Sequence, residues 1–440
     1  MIKFAIPSVI SLVVTQLYNI VDQIFIGNGV GYLGNGATNV VFPITVIAYG
    51  LAMLLGCACA AFLNLRLGEG KQKDAEKGVG NSLTLLVALA VILPALCYCF
   101  VTPLVRLFGA TDTILPYALD YGKIIILGFP FVILYTGLNQ IIRADGSPKL
   151  AMVSMLSGAV LNVILDYIFI FPLQMGVKGT AIATVVGQAV SLIIALFGIF
   201  RLKHVRLTKE CFLPDGKIIA GVCSIGASSF IVQAAIVLFT AVMNNVLVKY
   251  GALTKYGSDI PIAAMGIVMK VNAIIINVIV GISIGGQPLI SYSYGAKNYQ
   301  RVKQAFKTVL LSCVAVGILV FVLVEFFPAQ VLGLFGDEGG LYTEFAVKCF
   351  RILLCLCILN AAQQCSGIFM QSIGKPGVSM FLSLTRQVIF LIPAVLLMSY
   401  FFGLEGALWA CPVADAVAFA VAAVFMVREI RKMKQVDGAV

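Results

Sequence analysis

Three features of the sequence predict an all-α membrane protein of twelve transmembrane helices, arranged as two parallel-repeat six-helix bundles around a central cavity. Apolar runs of about twenty residues, the length that crosses a bilayer as a helix, recur from end to end of the 440 residues, of which 61% are hydrophobic and 11% charged. Lysine and arginine collect in alternate loops. Motifs of the first half return in the second at a fixed offset.

The runs place six helices near residues 4–27, 37–65, 79–101, 116–142, 150–172 and 177–200. The first starts at Phe4 with neither a basic leader nor a small-residue cleavage site, so it reads as a retained span. A basic stretch follows, and then six more helices near 218–248, 260–290, 304–327, 342–370, 378–402 and 405–427. The expected organisation is an N-terminal bundle over 1–200, a cytoplasmic linker over 201–217, a C-terminal bundle over 218–427 and a cytoplasmic tail over 428–440.

The two ends of the chain and the loops after helices 2, 4, 6, 8 and 10 hold 21 of the 30 basic residues. By the positive-inside rule both termini are expected in the cytoplasm of a cell-membrane protein. The net charge of +11 comes largely from these loops, so topology and lipid headgroups account for it and no nucleic-acid footprint is left. Twelve cysteines lie mostly in apolar runs, and the pairs Cys57/Cys59, Cys97/Cys99 and Cys355/Cys357 point to opposite sides of a helix. They read as small apolar fillers, with no metal or disulfide framework.

The repeat is specific. "GATNVVFPI" aligns with "AAMGIVMKV" (Ala37 with Ala264), and Gly68 of "LGEGKQKDAEK" aligns with Gly295 of "YGAKNYQRVKQ", both 227 positions apart. The same offset pairs "RLFGATD" with "GLFGDEG" (Leu107 with Leu334) and "GVKGTA" with "GLEGAL" (Gly176 with Gly403). Pro148 and Pro376 of "GSPKLAMVSML" and "GKPGVSMFLSL" differ by 228. Six helices per copy is even, so the copies are parallel, and two such bundles about one axis suit alternating access.

Polar residues inside the spans mark the chemistry. Asn162 and Asp166 are four apart and share a face of helix 5, with Asp166 near its outer end. Asp22 lies at the same depth on helix 1 with Asn19 one turn below, and Thr180 and Thr184 reach that level on helix 6. Two carboxylates in low dielectric resist double ionisation and can carry a proton. With amide and hydroxyl oxygens added they can instead surround Na⁺. Intramembrane ionisable residues are costly and functional by default. At +227, Asp166 and Asn162 become Pro393 and Ile389, so the cluster belongs to one half. The second half carries Lys270, Arg386 and Asp415, either a helix-binding ion pair or a charge network that acts on substrate or state.

Enzyme chemistry finds no support. The sole histidine, His204, sits in the linker, there is no HExxH pattern, and "GEGKQ" lacks the first glycine and the Ser/Thr of a P-loop.

"LYNIVDQIFIG", "RADGSPK", "LNVILDYIFIF", "GVKGTAIAT" and "RQVIFLIP" together resemble the multidrug and toxic compound extrusion (MATE) transporters of bacteria, over nearly the whole chain. The resemblance implies efflux of cationic, amphipathic compounds by antiport with H⁺ or Na⁺. It implies a coupling-ion pocket of Asp22, Asn162, Asp166 and Thr184, and a bend of helix 1 at Pro7, which by position alone is also a helix start. Acidic residues that some branches use on later helices are not evident on helices 7, 8 or 10. A cavity lined by Tyr18, Phe25, Met243, Met265 and Phe369 would hold flat, greasy cations through burial and cation–π contact. The expected partners are small cationic molecules and the lipid bilayer, with no nucleic acid; the expected state is a monomer, with no cofactor beyond the coupling ion and no metal beyond Na⁺. The nearest rival is a lipid-linked oligosaccharide flippase of the same superfamily, which would use cavity cations such as Lys270 and Arg386.

Overall fold

A computed structural model describes residues 2–30, 32–108, 110, 112–257, 259–333 and 340–437; the Leu334 copy of the "LFG" motif lies outside them. Spans α1 (Ile2–Gly29), α2 (Tyr32–Gly68) and α3 (Gln72–Cys99) are followed by α4, a bent pair of Leu115–Leu127 and Phe129–Ala144. Then come α5 (Pro148–Ile170) and α6 (Gly176–Ile199). The second half runs α7 (Gly216–Gly251), α8 (Asp259–Gly295), α9 (Tyr299–Phe326) and α10, a second bent pair of Gly340–Leu354 and Cys357–Ser372. Last, α11 and α12 occupy Pro376–Met433 and part at Gly403, whose φ of 62° and ψ of −141° no helix interior accepts. Among the described residues these make twelve spans: eight single helices, two bent pairs, and the two that part at Gly403 within Pro376–Met433. An even number puts both chain ends on one face, called here the terminal face, opposite the far face.

Several helices outrun their apolar cores. α2 starts at Tyr32 where hydropathy suggests 37, α3 at Gln72 where it suggests 79, α9 at Tyr299 where it suggests 304, and α12 continues to Asp437 into the expected tail. Hydropathy reports the part inside the bilayer, while a helix continues into water as long as its backbone bonds are kept. The bends have different causes. In α4 the break of 48° falls at Gly128, and Pro130 cannot donate to the carbonyl one turn back. In α10 the break is 47° without a proline, and packing holds it: Cys357 donates its thiol to the Gly317 carbonyl at 3.2 Å, and Gly317 lets α9 back onto Ile358.

Each half has its own core, one drawn from Ala37 to Val205 and the other from Phe239 to Met433. A smaller cluster of Ala58, Ala61, Phe62, Ile218, Val222 and Ile225 forms where α2 meets α7. The linker is fastened to the first half. Buried Asp145 accepts backbone N–H bonds from Lys203 and His204, Gln72 donates to the His204 carbonyl at 2.6 Å, and Asn81 donates to Cys211 and Leu213 and accepts from the Asp215 N–H at 3.0 Å. Asp215 then caps α7 by accepting from Lys217 and Ile218.

Candidate functional site

Glycines decide where the polar side chains of the first half meet. Gly158 of α5 and Gly187 of α6 lie face to face: a methyl on Gly187 would come 2.7 Å from the Gly158 carbonyl oxygen and 3.1 Å from Asn162 Cβ. Small residues at a helix crossing let the backbones approach. One turn along, Ser154 donates to the Ser191 carbonyl at 2.7 Å and Ser191 returns the bond to the Ser154 carbonyl at 3.0 Å, while Asn139 of α4 donates to Ser154 at 3.2 Å. This crossing puts the Asn162 amide 3.4 Å from the Thr184 hydroxyl. At the far face, Gly29 ends α1 against the side chain of Ile170, which brings α1 alongside α5.

Asp22 and Asp166 are thereby neighbours, close enough for their carboxyl groups to share a hydrogen bond. Asp166 is fully buried. Both of its oxygens, Asp22 Oδ1 and Asn162 Oδ1 are buried without any donor. Such orphaned acceptors are rare because each forfeits hydration with nothing in return. Two neighbouring carboxyls with buried, unpartnered oxygens and the Asn162 amide beside them are suited to share a proton or a cation. Tyr121, also buried, lies within electrostatic reach of both carboxyls. Just below, a cavity of about 20 Å³ is lined by Thr15, Tyr18, Tyr135, Asn162, Thr184 and Gln188, enough for one water or a bare ion.

The six residues expected here do not all arrive. Asp22, Asn162, Asp166 and Thr184 converge. Asn19 is exposed and spends its amide on the Thr15 carbonyl at 2.9 Å. Thr180 is buried but bonds the Val177 carbonyl of its own helix at 2.9 Å. Both lie at the right depth and turn their hydrogen bonds inward on their helices. Pro7 is buried in the second turn of an unbroken α1, beside Ala5 and Val9, the residues that pack on α8.

Of the expected cavity lining, Tyr18 borders the small cavity, and Phe25 packs edge-on against Tyr167 and Phe171 near the far face. Met243, Met265 and Phe369 are a correction: they are 1%, 3% and 2% exposed and belong to the core of the second half, Phe369 tilted against Phe306. A larger cavity of about 270 Å³ opens at the far face of that half, between Tyr250, Phe345 and Phe402, with the Lys348–Glu405 ion pair in its wall.

The second-half charges separate into two kinds. Arg386 donates to Asp415 at 2.7 Å, and Asn360 donates to the other oxygen of Asp415 at 3.2 Å, so that carboxylate is satisfied. Arg386 sits in a wide π-helical turn, Thr385–Leu391, just ahead of Pro393, which cannot donate to the Ile389 carbonyl and so relaxes the helix there. Lys270 is half-buried and, among the described residues, faces no carboxylate. A second unpaired cation was missed because it looked like a loop residue: Arg143 is 3% exposed, rests on Met155 sulfur at 2.9 Å and leaves Nε without a partner. Its signal was present in the sequence, one turn inside the glycine that ends α4.

Two six-span bundles related by a repeat, with an unpaired acidic couple in one of them, define a membrane transporter. The MatE family matches over residues 7–168 and 227–396, one stretch in each half, and the chain belongs to that family. It is 26% identical to the multidrug export protein MepA of Staphylococcus saprophyticus over 444 residues, covering 100% of this chain and 95% of the relative, and 26% identical over 440 residues to MepA of Staphylococcus aureus MRSA252, covering 99% and 95%. Its fold is that of a MOP superfamily transporter from Pyrococcus furiosus (TM-score 0.91, 23% identity, 98% and 96% of the two chains) and of a multidrug resistance MATE family transporter in an outward-facing conformation (TM-score 0.92, 23% identity, 99% and 96%).

Proposed function

We propose that this protein is a secondary active multidrug efflux antiporter, exporting cationic, amphipathic compounds in exchange for H⁺ or Na⁺. The observation that carries the reading is the Asp22–Asp166 couple, whose buried oxygens have no donor. A proton or Na⁺ bound there, with Asn162 and Thr184 as further ligands, removes the repulsion between the carboxyls and favours the packing of α1 on α5 and α6. Empty, the couple favours a different packing. A ligand shifts a two-state protein only through such a difference in affinity, and the coupling is reciprocal. Ion entry from the far side would therefore release cargo there, and ion loss on the other side would reset the cycle.

The basic loops support a cytoplasmic terminal face, hence both termini inside, in a cell membrane. The names of the MepA relatives support drugs as cargo. Nothing in the reading calls for a cofactor, nucleic acid or a second subunit. The lipid-linked flippase is kept as a second reading because Lys270, inside a span, and Arg143, buried at the end of one, are cations that face no carboxylate among the described residues. It accounts for those charges and leaves the acidic couple unexplained.

The deciding experiment is efflux of a fluorescent cationic dye from proteoliposomes under an imposed pH or Na⁺ gradient, for the native protein and Asp166→Asn. Gradient-driven efflux lost in the variant is expected, and the effective gradient names the ion. Equal transport by both proteins would remove the couple from the mechanism.

A further inference from the structure

The two glycines that the repeat aligns, Gly68 and Gly295, end α2 and α8 and touch each other. A methyl placed on Gly68 would come 3.0 Å from the Gly295 Cα and would overlap the Tyr292 carbonyl oxygen; one placed on Gly295 would come 3.0 Å from the Gly68 Cα and would overlap the Leu65 carbonyl oxygen. The neighbours correspond as well. Ala296 backs the first glycine and Glu69 the second, and both 65/292 and 69/296 differ by the same 227 positions as the glycines themselves. Each residue thus meets its own counterpart's surroundings, which is the signature of an isologous contact on a two-fold axis.

The flanking seams join corresponding helices, in a different register. Gly226 of α7 fits against Leu54 and Ala58 of α2, while Gly281 and Gly285 of α8, 227 positions beyond Leu54 and Ala58, fit against Val9 and Ala5 of α1. Three close approaches therefore join the two halves, and the one between Gly68 and Gly295 lies at the helix ends on the terminal face. Only hydrogen fits between those two backbones, and Cα–H groups there face carbonyl oxygens, a weak attraction that strengthens at close helix crossings.

We infer that Gly68 and Gly295 form a pseudo-symmetric clasp that seals the terminal face, and that parting of this clasp is the step that opens the protein to that side. The inference rests on the transporter reading for its purpose, though not for its geometry. A clasp of two hydrogens is well suited to reversal: among the described residues no ion pair bridges the two halves there, and beside it the Leu65 side chain rests on Gly374. It also predicts equivalence. An obstruction on either glycine meets the same opposing backbone, so either one parts the same contact.

The test is a distance measured between spin labels on the exposed positions 73 and 307, one in each half, introduced as non-natural residues in the full-length protein in lipid nanodiscs. The unmodified clasp should give a short-distance population. Gly68→Ala and Gly295→Ala should each shift the ratio of parted to sealed protein by about fivefold or more, as overpacking of a tight contact does. The two shifts should match, and the double variant should add little to either, because the sites share one contact. Gly377→Ala, where a methyl meets nothing within 4 Å, should leave the distance alone. Folded alanine variants that keep the short distance, or a shift from only one of the two, would overturn the clasp.

Should both alanine variants fail to fold, the pair Glu69→Cys and Ala296→Cys keeps the glycines in place. Oxidation should then join the two positions, seen by peptide mapping, and hold the labels at the short distance under every ion condition; a joined protein whose labels still separate overturns the inference. Neither readout needs a substrate. If dye efflux fails while the distances respond, the cargo assignment falls and the clasp stands; if efflux succeeds while the distances ignore the glycines, the clasp falls alone.

Discussion

Asn162 and Thr184 meet at 3.4 Å because two glycines one turn away, Gly158 and Gly187, let α5 and α6 close on each other. The polar contact is a product of the packing. Gly187→Ala should therefore act at a distance from any ligand: its methyl would press on the Gly158 carbonyl and Asn162 Cβ, at a cost of about 1–3 kcal/mol. The expected outcome is a lower midpoint in thermal unfolding in detergent, together with a weaker ion dependence of transport.

Asp22→Asn supplies what the couple lacks. The new amide can donate to an orphaned oxygen of Asp166, much as a bound proton would. The variant should resemble the ion-loaded protein permanently, binding dye with an affinity that no longer responds to pH or Na⁺ and losing gradient-driven efflux by about tenfold or more. Fluorescence polarisation of the dye with and without Na⁺, at acid and neutral pH, reads this directly. Ion-dependent dye binding retained in Asp22→Asn would count against the couple.

The Arg386–Asp415 pair should behave in the opposite way. It is buried and satisfied, with Asn360 on its second oxygen. Removing one partner, as in Asp415→Leu, leaves a buried charge alone and should cost about 3–5 kcal/mol, while Arg386→Met combined with Asp415→Leu should recover most of that loss. A thermal double-mutant cycle measures the difference. A double variant as unstable as the worse single would mean that the pair is not the unit.

Arg143 bears a desolvation cost that, among the described residues, no carboxylate offsets. Arg143→Met should pack on Met155 and raise stability by about 1 kcal/mol or more, since a buried cation without an anion is removed. Transport should nevertheless fall, because buried charges that burden the fold are kept for function. Melting temperature and dye efflux, compared in the same preparation, check both halves of the statement.

Asn81 holds the linker by three hydrogen bonds, to Cys211, Leu213 and Asp215. Asn81→Ala should loosen residues 201–215 at a cost of about 1–3 kcal/mol. Limited proteolysis should then cut the linker faster, with the twelve spans still intact.

Span number, repeat and the core of the acidic site were legible because each rests on a single coordinate along the chain. Apolar run length reads depth, a fixed offset reads duplication, and a spacing of four reads a shared helix face. Angle about the helix axis is another matter. Asn19 and Thr180 lie at the depth of Asp22 and Asp166, yet bond their own helices; Met243, Met265 and Phe369 are as apolar as a cavity wall and are spent on the core. In a chain this hydrophobic, lipid-facing, cavity-facing and core-facing residues share one vocabulary. Arg143 was lost for a related reason: a basic residue near a span end looks like the first of a loop until the backbone shows the helix running past it to Ala144.

The bonds from Asn81, Gln72 and Asp145 make residues 201–215 part of the first half in all but sequence. Whatever rotation separates the two copies must then be taken up within a few peptide bonds around Asp215 and Gly216, where the chain enters α7. The ancestral joint between two once-equal copies has thus become a rivet on one side and a pivot on the other. A molecule assembled from two co-expressed fragments, divided between those two residues, would keep its joint with the first fragment.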